Sequence, residues 1–165
     1  MKRFDFATAD LIDAAPYARS CETQFCQYGR RRVFGGKIRT LKCRGDSGAV
    51  KKLMNALSDG EVLVVDGGGS LSCALLGDVA AAAGAANGWA GAVVYGAVRD
   101  LEALHETDFG IKALGSNPRK ISPQGDTQTD VPLCFGGVDF IPGHYLYSDA
   151  DGIVVSERPL LPERE

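Results

Sequence analysis

Residues 62–100, VLVVDGGGSLSCALLGDVAAAAGAANGWAGAVVYGAVRD, decide how this chain folds. Val62 to Val65 is an unbroken apolar run, which suits a strand covered on both faces and therefore a parallel sheet. Gly67, Gly68 and Gly69 turn the chain, an alanine-rich helix follows, and Ala92 to Tyr95 supplies a second apolar run. Strand, helix and strand make a βαβ unit, whose crossover is almost always right-handed. Polar side chains are scarce in it, so Asp66, Asp78, Arg99 and Asp100 are the candidates for chemistry.

Two starts are open to the helix. Glycine disfavours a helix interior by about 0.8–1 kcal/mol relative to alanine, and Asp is a favoured N-cap. The helix can therefore begin at Gly77-Asp78, with the N–H groups of Val79 and Ala80 presented to an anion at the positive end of the macrodipole. Alternatively it begins at Ser70 or Ser72, and Asp78 projects from its wet side. The glycine triplet is open in the same way, as a phosphate-type cradle or as a tight turn. It has neither GxGxxG spacing nor the Gly-Lys-Ser/Thr of a P-loop.

Arg99-Asp100 follows the second strand, and in open α/β sheets ligands bind outside the carboxyl ends of the strands. Helix N-termini open at that edge too, so Asp78 and Arg99-Asp100 can converge although twenty residues separate Asp78 from Arg99. An Arg fork suits a carboxylate or an enolate, and an Asp oxygen suits a hard divalent cation that keeps most of its waters. The plain alternative is an Arg99–Asp78 ion pair with no substrate.

Outward from this unit, Thr8 is positioned to cap a short helix through Ala9, Leu11, Ile12 and Ala15 that Pro16 ends. Cys21 to Phe25 suits a short strand, Tyr28 to Phe34 an arginine-bearing loop, and Lys37 to Cys43 a half-wet strand. Asp46 or Ser47 caps a helix whose apolar stripe is Val50, Leu53, Met54 and Leu57. Beyond Asp100 the pattern gives a helical turn at Leu101 to His105, a strand at Ile111 to Leu114 and a polar loop from Ser116 to Asp130. It then turns β-rich, with strands at Val131 to Phe135, Val138 to Ile141, His144 to Tyr147 and Ile153 to Val155. A mixed sheet with helices packed on it follows, in a single domain spanning 1–165 whose last residues, 158–165, form a loosely ordered tail.

The net charge of -3 argues against a nucleic-acid footprint, which needs clustered Lys and Arg. Arg30-Arg31-Arg32 is too short a cluster to change this, and reads as a solvated turn or subunit contact. The five cysteines form no CxxC pair, no apolar signal segment precedes Ala7, and no run approaches the ~20 residues of a membrane span. Reduced thiols in a cytoplasmic, soluble protein are expected, with Cys73 and Cys134 in apolar surroundings. His105 and His144 stand apart, and Asp149-Ala150-Asp151-Gly152 is a turn rather than a calcium loop.

The segments VLVVDGGGSL, LLGD, NGW, GAVRD, GIKALGSNP and FGG resemble the RraA-like family, which groups the regulator of ribonuclease E activity A with class II 4-hydroxy-4-methyl-2-oxoglutarate aldolases. The resemblance runs from Ala9 to Val155, and Asp78, Arg99 and Asp100 match the aldolase motif of an Asp, twenty residues and Arg-Asp. It implies a three-layer α/β/α swivelling-domain-like fold, assembled as a homotrimer or a dimer of trimers with sites at subunit boundaries. By matching position, Asp100 would hold Mg²⁺ or Mn²⁺. Arg99 would bind the 2-keto acid, and Gly77, Asp78, Val79 and Ala80 would line its carboxylate site. Glu22 lies near a position from which an adjacent subunit could add an acid. The implied reaction is cleavage of 4-hydroxy-4-methyl-2-oxoglutarate to two pyruvates, with oxaloacetate decarboxylation beside it. The rival is a regulator that docks to ribonuclease E. Relatives labelled demethylmenaquinone methyltransferases raise a third reading, for which the sequence holds no further cofactor motif.

Overall fold

The computed structural model describes residues 5–44, 46–120 and 125–162. In chain order the elements are α1 (Thr8–Ala14), β1 (Arg19–Ser20), β2 (Cys26–Gln27), β3 (Phe34–Cys43), α2 (Ser47–Met54), β4 (Val62–Asp66), β5 (Ala74–Leu76), α3 (Asp78–Ala86), β6 (Gly91–Val98), α4 (Leu101–Glu106), β7 (Gly110–Ser116), β8 (Thr127–Thr129), β9 (Leu133–Phe135), β10 (Val138–Phe140), β11 (Tyr145–Ser148) and β12 (Ile153–Ser156). Ten strands form one mixed sheet, ordered β1-β12-β11-β3-β4-β6-β7-β2, with β5 added to β6 and β8 to β3.

The parallel centre is β3, β4, β6 and β7. Val62 to Val65 are fully buried, as a strand between two parallel neighbours requires. Alternation sends their side chains to two cores. Leu63 and Val65 pack with Val50 and Met54 of α2, Ala80 and Ala81 of α3, and Leu104 of α4. Val62 and Val64 pack with Leu133, Phe135, Val138, Phe140 and Leu146 from the β-rich C-terminal part, which covers the other face. Phe135 is stacked between Tyr95 and Phe140, with ring centroids 4.4 Å from each. A third small core packs Ile12 of α1, with Ala15 and Ala18 just after it, on Val154 of β12.

Several sequence expectations change. Thr8 does not cap α1. It is the first helical residue, its N–H and hydroxyl both donate to the Asp149 carboxylate (2.6 and 2.7 Å), and Ala7 occupies the cap position. No strand spans Cys21 to Phe25; the short strands flank that segment. Asp46 is the cap of α2, accepting from the Gly48 N–H at 2.8 Å. That helix ends at Met54, so Leu57 leaves the apolar stripe and is 85% exposed. Cys134 is exposed, because alternation on the β9–β10 hairpin buries Leu133 and Phe135 and turns the residue between them outward. In the expected tail, the Leu160 N–H donates to Tyr147 Oη at 2.8 Å and Arg158 lies over the Tyr17 ring, so the described part is tethered. Residues 163–165 lie outside the described residues, as do residues 121–124 of the Ser116–Asp130 loop.

Candidate functional site at the carboxyl edge of the sheet

The glycine triplet is a turn. Gly67 and Gly69 both donate to Tyr95 O (3.0 and 3.1 Å), and Gly68 donates to Asp66 Oδ1 at 2.9 Å, so all three N–H groups are used within the chain. Gly68 and Gly69 have φ of 70° and 74°, which glycine adopts without strain. The turn lifts the chain off the sheet after β4 and returns it as β5, which pairs beyond β4 on the same side of β6, with Ala74 opposite Ala97 and Leu76 opposite Val98.

This short strand assembles the site. β5 and β6 are parallel and end side by side, so Gly77 and Arg99 each stand one residue past the paired Leu76 and Val98. The Arg99 N–H donates to Leu76 O at 3.0 Å, locking the two exits together. The helix begins here and not at Ser70 or Ser72: Gly77 is the N-cap of α3 and Asp78 its first residue. Asp78 donates its N–H to Asp100 Oδ2 at 3.2 Å, while Asp78 Oδ1 accepts from Val79 N at 2.8 Å. Arg99 Nε stands 3.8 Å from the same Asp100 oxygen. The ion pair is thus Arg99–Asp100, and among the described residues no Arg99–Asp78 pair is formed.

Asp100 is held at φ 63° and ψ 45°, a left-handed conformation that costs most L residues roughly 1–2 kcal/mol. Gly77 makes room for it, since a Cβ at that position would lie 2.6 Å from Asp100 Oδ2 and 3.3 Å from Arg99 Cγ. Val79, beside the charged group, is 60% exposed, whereas Ala80 is buried against α3's core and contributes only main chain.

One segment, read from the sequence only as the start of the Ser116–Asp130 polar loop, comes to the site. After β7, residues 117–120 run from the end of β6 to the start of β5: Asn117 N donates to Val98 O (3.0 Å), Pro118 O accepts from Arg99 Nη1 (3.5 Å), and Arg119 O accepts from Ala74 N (2.8 Å). Its signals were the Ser-Asn-Pro turn chemistry after a strand and its place in the GIKALGSNP segment. Glu22 is elsewhere, its N–H on Gly136 O at 2.7 Å, and among the described residues no interaction joins it to Asp78, Arg99 or Asp100. Arg31 is structural: it holds Asp108 (Nε to Oδ1, 3.2 Å) and Ala90 O (3.2 Å) at the opposite edge of the sheet.

Among the described residues no three His, Cys, Asp or Glu side chains gather as a protein-only metal cage. A hard cation such as Mg²⁺ is commonly held by one or two carboxylates plus waters and substrate oxygens, and the half-exposed Asp100 carboxylate, with the space Gly77 leaves, fits that kind of site. The edge is exposed at Val79 and Asp100. Neither a cleft of about 620 Å³ lined by Tyr17, Arg19, Glu22 and Gly137 nor one of about 340 Å³ around Gln27, Arg30, Arg32 and His105 includes these residues.

Fold and site together define a mixed α/β protein with an acid–arginine–acid group at the carboxyl edge of its parallel strands. The chain belongs to the RraA-like family, described as Aldolase/RraA, whose model matches residues 8–155. It is 48% identical over 160 residues to a Pseudomonas syringae pv. tomato protein named "Putative 4-hydroxy-4-methyl-2-oxoglutarate aldolase", covering 96% of this chain and 99% of that one. Among solved structures it is similar to the RNA-processing inhibitor RraA from Thermus thermophilis, at 40% identity, a TM-score of 0.92 and 98% coverage of both chains. It is also similar to a Geobacillus kaustophilus structure described as S-adenosylmethionine:2-dimethylmenaquinone methyltransferase, at 39% identity and a TM-score of 0.92, covering 97% of this chain and 100% of that one. Among the described residues no helix is long and apolar enough to cross a membrane.

Proposed function

We propose that this chain is a divalent-metal-dependent lyase that cleaves 4-hydroxy-4-methyl-2-oxoglutarate into two pyruvates. The observation that carries this reading is the meeting of Asp78, Arg99 and Asp100 at one exposed strand edge. The aldolase name of the Pseudomonas relative supports it.

In this reading Asp100 holds Mg²⁺ or Mn²⁺, which when bound supplies Lewis-acid stabilisation of negative charge on the substrate's keto oxygen. Arg99 presents a planar fork to the 2-keto acid and opposes the charge that develops as the bond breaks. Gly77, Asp78, Val79 and Ala80 at the mouth of α3 border the substrate carboxylate, which the helix dipole favours there, with the Asp78 and Val79 N–H groups already given to Asp100 Oδ2 and Asp78 Oδ1. Asp78 accepts the proton of the 4-hydroxyl; the C3–C4 bond breaks, and its electron pair moves into a pyruvate enolate. Protonation at C3 gives the second pyruvate. Oxaloacetate loses carbon dioxide through the same enolate, so decarboxylation accompanies cleavage.

The exposure of Val79 and Asp100 supports a site walled by a neighbouring copy, as a homotrimer or a dimer of trimers would supply. Pyruvate release with Mg²⁺, with chelator and in Asp100→Ala tests the reading. Full activity of Asp100→Ala would sink it.

A second reading, regulation of ribonuclease E by docking, is favoured by the likeness to the Thermus RraA. A pull-down against the ribonuclease at physiological salt separates the two. S-adenosylmethionine-dependent methyl transfer has less support: the glycine turn that resembles a cofactor loop has spent its N–H groups internally.

A further inference from the structure

We infer that Arg119 binds the second carboxylate of the substrate and so sets the preference of the site for dicarboxylic 2-keto acids. This rests on the lyase reading above.

The proposed substrate carries two carboxylates, one on the keto end and one on C4. Arg99 is partly engaged within the chain, its Nε 3.8 Å from Asp100 Oδ2 and its Nη1 donating to Pro118 O at 3.5 Å, which leaves it for the keto-acid end. Arg119 follows Pro118, whose carbonyl accepts from Arg99, in the segment that leads from the end of β7 to the start of β5. Its backbone is pinned on both sides, its N–H on Asn117 Oδ1 at 2.9 Å and its carbonyl on Ala74 N at 2.8 Å. Asn117 is fixed in turn through its side-chain amide on Leu71 O at 2.8 Å. The rest of the Arg119 side chain is exposed, and among the described residues no acid lies within ion-pair distance of it. A free guanidinium on a fixed backbone beside a site that must take a dianion is a carboxylate donor held ready.

The test uses the full chain with Mg²⁺ and three variants, Arg119→Gln, Arg119→Lys and, as control, Lys120→Gln. Both backbone bonds of Arg119 survive the change to Gln. Pyruvate release is measured from 4-hydroxy-4-methyl-2-oxoglutarate and from 4-hydroxy-4-methyl-2-oxopentanoate, in which a methyl group replaces the distal carboxylate. Arg119→Gln is expected to raise KM for the dicarboxylate about tenfold or more, the loss of one charge-assisted bond, and to leave the monocarboxylate within about twofold. Arg119→Lys recovers part of the loss. Equal effects on both substrates, no effect on either, or the same loss in Lys120→Gln overturns the assignment. If the wild type cleaves neither substrate, the lyase reading fails, and calorimetric binding still decides Arg119. In that case 2-oxoglutarate should bind Arg119→Gln about tenfold more weakly while pyruvate is unaffected, and equal affinities for 2-oxoglutarate overturn the inference.

Discussion

The backbone N–H of Asp78 donates to Asp100 Oδ2 at 3.2 Å, joining the first residue of α3 to the left-handed residue that precedes α4. Two strand-to-helix junctions thereby share one carboxylate, and the geometry of each depends on the other.

Gly77 is where that dependence is most exposed. Gly77→Ala keeps an allowed backbone, since φ is -134°, but puts a methyl group 2.6 Å from Asp100 Oδ2. The variant should fold with a near wild-type melting temperature and lose about 100-fold or more in pyruvate release, the scale on which displacements of about 1 Å act. Wild-type activity would show that the carboxylate need not sit there.

Asp100→Gly separates stability from chemistry. Glycine removes the cost of φ 63°, so denaturant unfolding should show equal or greater stability, by up to about 1 kcal/mol, while metal-dependent turnover disappears. A marked destabilisation would mean that the Asp78 N–H bond outweighs the backbone strain.

Acid should loosen α1 through Asp149. Burial alone would raise this carboxyl, but N–H and O–H donation from Thr8, with the N–H groups of Asp151 and Gly152, brings it below the usual carboxylate range. A carboxyl depressed in the folded state contributes stability that is present above its unfolded pKa, about 3.9, and is lost as pH falls through the folded value. Thr8→Val should cost about 1.5 kcal/mol or more at pH 7, with the gap from wild type closing in acid, as followed by urea unfolding against pH.

Met54 and Leu57 should behave oppositely. Met54 is fully buried and Leu57 is 85% exposed, so Met54→Ala should cost about 2–5 kcal/mol and Leu57→Ala less than about 0.5 kcal/mol in chemical denaturation.

This contrast shows where sequence pattern runs out. Leu57 keeps helical spacing with Met54, but the chain leaves the helix before reaching it, and periodicity carries no stop signal of its own. The central strands were legible because an unbroken Val-Leu-Val-Val run has few other uses. β5 was not, because Ala74-Leu75-Leu76 are good helix formers beside an alanine-rich helix, and only the pairing with Ala97 and Val98 makes them a strand. The meeting of Asp78 with Arg99-Asp100 was foreseeable from the rule that strand ends and helix starts share an edge. The strand that enforces it, and the 117–120 segment that bonds to its start, are tertiary facts.

That segment separates two kinds of change. Residues 117–120 hang from Val98, Ala74 and Leu71 by main-chain atoms and the single amide of Asn117. Pro118, Arg119 and Lys120 are exposed and can vary without disturbing any of the three cores. A lineage could retune which acids this edge admits by editing the surface letter at Arg119, leaving the folding instructions below untouched.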